Sequence, residues 1–93
     1  MKAELIFHDK VVEHDNSIVE IKIWSVPVTS DRLHGYKYSM VYIKDGKRIV
    51  GYDNHTGKRD HRHYGNKEGP YRFTTIDKLF EDFYKDLRRY TKQ

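Results

Sequence analysis

The sequence predicts an α+β fold: an antiparallel sheet of about four to six strands covered on one face by a long C-terminal helix. Three observations predict it. Apolar and β-branched residues alternate with polar ones through much of residues 1–73, the period-2 signature of strands. Turn-forming clusters interrupt that pattern at short intervals, which favours antiparallel neighbours. After Phe73 the apolar spacing lengthens to that of a helix. A sheet with one apolar face needs one covering layer, and one amphipathic helix supplies it. Ninety-three residues fit a single domain, β-rich over 1–73 with the helix over about 75–91.

Lys2 to Val12 is rich in apolar residues, and His14-Asp15-Asn16-Ser17 then supplies turn chemistry. Ile18 to Val28 follows as a second strand, with Val19, Ile21 and Ile23 on one face and Glu20 and Lys22 on the other. Pro27 marks its end. Tyr36 to Lys44 is a third strand, apolar on both faces toward its end, as a central strand should be. Asp45-Gly46 is a two-residue hairpin signal, so Arg48 to Asp53 returns antiparallel. His61 to Tyr64 reads as a short fifth strand. Gly65-Asn66 and Gly69-Pro70 bracket a further turn, and Tyr71 to Phe73 reads as a last short strand or an extended lead-in to the helix. Thr74 is the expected N-cap, with Asp77 completing a variant capping box. Ile76, Leu79, Phe80, Phe83, Leu87 and Tyr90 fall on one helical stripe, which is assigned to the core.

Composition excludes several classes. Aromatic residues make up 14% of the chain, too many for a disordered segment. No apolar run approaches the roughly 20 residues of a membrane span, and the N-terminus lacks the pattern of a signal peptide. The expected location is therefore cytoplasmic, with no membrane association. The absence of cysteine excludes disulfide scaffolds, thiolate zinc sites and thiol catalysis. The net charge of +4 is local: Lys44 to Arg72 holds eight basic and four acidic residues, and the rest of the chain is neutral. That segment also contains His55, His61 and His63. A basic segment in a small protein points toward phosphate-bearing partners, or is a solvated hairpin.

The sharpest local pattern is Tyr52-Asp53-Asn54 followed by Lys58-Arg59-Asp60-His61-Arg62-His63. On a strand, His61 and His63 project from the same face. Imidazoles titrate near neutral pH, so such a pair can supply both a general base and a general acid. Metal-independent RNA cleavage needs a base for the 2′-hydroxyl, an acid for the leaving 5′-oxygen and cations for the crowded phosphate. The candidate catalytic residues are His61, His63 and Asp53, the last orienting an imidazole. The candidate substrate-binding residues are Asn54, Lys58, Arg59, Arg62, Tyr52 and Lys37. Two other readings stand beside this one. His61, His63 and Asp53 could ligate a divalent metal. Alternatively, the histidines bind phosphate or serve structure without turnover. No cofactor is expected on the first reading. His34-Gly35-Tyr36-Lys37-Tyr38 is a second polar cluster, read as a turn feeding an amphipathic strand.

The blocks Ile21-Lys22-Ile23-Trp24-Ser25-Val26-Pro27, His34-Gly35-Tyr36-Lys37-Tyr38-Ser39, Gly51-Tyr52-Asp53-Asn54, Asp60-His61-Arg62-His63-Tyr64-Gly65 and Pro70-Tyr71-Arg72-Phe73, in this order, resemble the TumE-type family of toxin–antitoxin proteins. The resemblance covers nearly the whole chain. Its most specific marks are Asp53-Asn54 and His61–His63. It implies a prokaryotic type II toxin with a cognate antitoxin protein as partner. RNA is the expected target, by analogy with other small toxins. Homodimerisation is left open.

Overall fold

A computed structural model describes residues 3–30, 33–54 and 59–91. The strands are β1 (Glu4–Val12), β2 (Ile18–Ser25), β3 (Tyr36–Lys44), β4 (Lys47–Asp53), β5 (His61–Tyr64) and β6 (Lys67–Pro70), followed by helix α1 (Ile76–Thr91). They form one sheet in chain order, every neighbouring pair antiparallel. This is the meander that short turns favour. At the β3–β4 hairpin, Asp45 and Gly46 both have positive φ, 53° and 74°. That is the type I′ geometry, whose twist matches the flanking strands.

The expected α+β architecture is observed, with three local corrections and one alternative resolved. β2 ends at Ser25 rather than continuing to Val28. Lys67 to Pro70 is a sixth strand, not part of a turn; Gly65 and Asn66 alone make the turn, and Tyr64 pairs with Lys67 across it. Of the two readings of Tyr71 to Phe73, the extended lead-in to the helix is the one observed. The helix cap is Thr75 rather than Thr74: the Lys78 amide donates to Thr75 Oγ1 at 3.1 Å. Adjacent threonines offer the same cap chemistry, and the helix register selects the second.

Alternation divides the sheet into two unlike faces. Val19, Ile21, Ile23, Tyr38, Met40, Tyr42, Val50 and Tyr52 point to the helix and are buried with Leu79 and Phe83. Burying Leu79 or Phe83 contributes about 1.5–3 kcal/mol each relative to exposure. The other members of the predicted stripe, Ile76, Phe80, Leu87 and Tyr90, pack at its margins. β1 lies at the limit of this cover. All nine of its residues are exposed, and Phe7 meets the helix in an edge contact with Phe80, ring centroids 5.5 Å apart. Among the described residues no helix is long and apolar enough to cross a membrane.

The helix also carries a polar clamp. Asp86 is 4% exposed. It accepts two hydrogen bonds from Arg62, Nε to Oδ2 at 2.7 Å and Nη2 to Oδ1 at 2.8 Å, and one from the Tyr52 hydroxyl at 2.6 Å. One turn earlier, Asp82 accepts from the Tyr71 hydroxyl at 2.6 Å and pairs with Lys78 at 2.9 Å. Burial, and then Asp86, push the Tyr52 phenol well above its usual range, so it remains a donor. Asp86→Ala would leave the Arg62 charge without its carboxylate, and the Tyr52 hydroxyl with only the 3.4 Å contact to the Asp82 carbonyl. Urea unfolding should show a loss of about 2–4 kcal/mol, and a change below about 0.5 kcal/mol would mean the clamp contributes little.

Candidate functional site

Among the described residues, no helix or strand packs on the face of the sheet away from the helix. The side chains of this face form rows that cross the strands. One row runs His8, Lys22, Ser39, Asp53, His61 and Pro70, each the Cα partner of the next. The next row runs Lys10, Glu20, Val41, Gly51, His63 and Glu68. His61 and His63 therefore share this open face, and Asp53 lies directly across from His61.

Arg48 joins them through an irregularity. The β3–β4 register shifts between Tyr42 and Ile43, so that Arg48 pairs with Ile43, an open-face residue. Without this bulge, strict alternation would put Arg48 on the face of Val50 and Tyr52. Bulges commonly re-aim a side chain in this way. Gly51 then provides the floor. A Cβ built at Gly51 would stand 2.9 Å from Arg48 Cδ and 3.6 Å from His63 Cδ2. Its missing side chain lets Arg48 cross the strand and donate from Nη2 to His63 Nδ1 at 3.0 Å.

That hydrogen bond fixes the imidazole. Nδ1 accepts from a permanent cation, so the neutral ring carries its proton on Nε2. Nε2 faces Asp53 Oδ2 at 3.8 Å, an electrostatic rather than a hydrogen-bonding distance. Glu68 Oε2 lies 3.4 Å from Nδ1 on the solvent side. Burial, followed by the charge of Arg48, lowers the His63 pKa below 6.5; Glu68 and Asp53 oppose the shift without reversing it. His63 is thus held neutral at pH 7. A neutral imidazole and a second one two residues away are the parts of an acid–base pair.

The remaining predicted residues do not all gather here. Tyr52 and Arg62 lie on the helix face, where Asp86 holds both. Alternation requires this, because Arg62 stands between two residues that point the other way. Asn54 is fully buried. Its Oδ1 accepts from the Tyr38 amide at 2.9 Å and its Nδ2 donates to the Tyr36 carbonyl at 2.8 Å. Its amide thereby prolongs the β3–β4 ladder beyond Asp53. Lys37 shares the open face but sits over the Trp24 ring, 5.3 Å from its centroid, two strands from His61. Arg59 lines a cleft on the helix side. Lys58 and His55 lie outside the described residues. Among the described residues no three His, Asp or Glu side chains converge as a metal-ligand set.

A second polar cluster occupies the helix side of the same sheet end. The Tyr36 amide donates to His34 Nδ1 at 3.2 Å, and His34 Nε2 meets Asp60 Oδ2 at 3.1 Å. The Tyr38 hydroxyl donates to the same Oδ2 at 2.6 Å. His34 stacks on Phe73 with centroids 3.9 Å apart. The Tyr71 amide donates to the Asp60 carbonyl at 2.9 Å, so Asp60 is fixed from both its side chain and its backbone. This cluster anchors the residue immediately before His61.

The geometry can be tested without any substrate. In a histidine-resolved NMR titration, His63 should titrate below 6.5. Arg48→Ala, and Gly51→Ala, which crowds Arg48 away, should each raise its midpoint. An unmoved midpoint in both variants would refute the Arg48 contact.

A family model described as Toxin TumE matches residues 2–91. No curated protein and no solved structure matches the chain.

Proposed function

The chain belongs to the TumE toxin family and is a toxin of a toxin–antitoxin system, and on that premise we propose that it acts on RNA as a metal-independent ribonuclease with His61 and His63 as its acid–base pair. The observation that carries this reading is the shared face: two imidazoles on one strand, one lowered in pKa beside an arginine, with no helix or strand packed above them among the described residues.

The roles follow from the environments. His63 is the base, because burial and Arg48 keep it unprotonated. An incoming phosphate draws the Arg48 guanidinium onto its own oxygens and frees His63 Nδ1. That nitrogen then takes the 2′-hydroxyl proton. The O2′–P bond forms, the P–O5′ bond breaks, and His61 gives its proton to the departing O5′. The products are a 2′,3′-cyclic phosphate and a 5′-hydroxyl. Arg48 stabilises the charge that accumulates on the phosphate oxygens in the transition state. Asp53 stabilises the imidazolium that His63 becomes. Lys37 and Arg59 serve flanking phosphates. Asn54, Tyr52 and Arg62 act at one remove, by fixing the strands that carry the site. The cognate antitoxin is expected to cover this face.

Cleavage of purified RNA in excess chelator tests the reading. His61→Ala and His63→Ala should each reduce the rate about 10²–10⁴-fold. The acidic limb of the wild-type rate profile should fall below pH 6.5, where His63 becomes protonated. Binding without any turnover would favour a non-catalytic module. Activity abolished by chelator and restored by a divalent cation would favour the metal reading.

A further inference from the structure

The charge surplus around the histidines is not spent on them alone. Arg59, Lys67, Arg72 and Arg89 are all exposed, and among the described residues none pairs with a carboxylate. The nearby acids already have partners, although Asp60 borders the first of the clefts described below and Glu68 the second. Asp60 is held by His34 and Tyr38, Asp82 by Tyr71 and Lys78, Asp86 by Arg62 and Tyr52, and Glu68 turns toward His63 on the open face. The four cations line two clefts on the helix side of β6. Arg59 and Arg72 border one of about 710 Å³. Lys67 and Arg89 border one of about 600 Å³, and Arg89 is braced there on the Tyr64 ring, 5.6 Å from its centroid. The clefts meet at Pro70, which lines both. Pro70 and Glu68 are the Cα partners of His61 and His63. The rim is therefore one strand, roughly 5 Å, from the histidine row.

We propose that this rim binds the sugar–phosphate backbone of single-stranded RNA on one side of the reacting phosphate, the chain crossing the β6 edge from the histidine face into the two clefts. The proposal rests on the reading of the histidine face as an RNA-directed site. Charge favours it, since the rim offers a polyanion four cations that have no carboxylate partner among the described residues. The edge itself disfavours an added protein strand. β6 is only four residues long, carries Lys67 and Glu68, and ends on Pro70, which has no amide hydrogen. From Lys67 to Pro70 the rim runs about 10 Å, room for two or so phosphate spacings.

The test uses the full chain and a 2′-O-methyl oligoribonucleotide, which lacks the nucleophile and so reports binding alone. Affinity is measured against salt concentration in chelator. Arg72→Ala and Lys67→Ala, neither of which removes a structural contact, should each weaken binding severalfold and lower the salt slope by about 0.7. Lys10→Ala, on the opposite edge, should change neither. Unchanged affinity and slope in both rim variants would overturn the proposal, even if RNA is cut. So would capture of polyglutamate but not of the oligonucleotide. Altered slopes in a protein that cuts no RNA would sustain the rim and remove the ribonuclease reading.

Discussion

One helix can bury only one face of a six-stranded sheet, and the rest of the molecule follows from that constraint. Period-2 alternation sorts each strand between the side under the helix and the side away from it. On β4 it sends Val50 and Tyr52 to the helix and Gly51 and Asp53 away from it. On β5 it sends Arg62 and Tyr64 inward and His61 and His63 outward. The packed core and the proposed site thus share the same short strands, on opposite surfaces, and neither needs a deep cavity.

The two sides are electrostatically linked. A carboxylate as buried as Asp86 persists because Arg62 meets it with two hydrogen bonds and Tyr52 with a third. Arg62 in turn lies between His61 and His63, so the clamp that seats the helix also holds the strand bearing both imidazoles. On the near side of β5, Asp60 does similar work with His34 and Tyr38. The internal acids are thereby consumed by internal donors. The segment's excess positive charge remains on the surface, beside the face that carries His61 and His63.

Most of this architecture was legible in the sequence, because strand and helix differ in hydrophobic period. The hairpin at Asp45-Gly46 and the stripe from Ile76 to Tyr90 were readable as they stand. β6 was not: Lys67-Glu68-Gly69-Pro70 has no apolar alternation, and only its pairing with β5 makes it a strand. Arg62 was grouped with the histidines by charge, although the alternation that joins His61 to His63 also excludes the residue between them. Asn54 looked like a polar site residue and instead completes a backbone ladder. Arg48 could not have been found, because a one-residue bulge reverses its face and leaves no mark in composition. The need for glycine at 51 is equally invisible there, because it arises only from Arg48 lying across it.

The central claim is that paired imidazoles on the open face move the protons of an RNA transesterification. End-group analysis tests it most directly. RNA cut by the purified protein in excess chelator should carry 5′-hydroxyl and 2′,3′-cyclic phosphate ends. RNA left intact, or fragments bearing 5′-phosphate and 3′-hydroxyl ends, would contradict it.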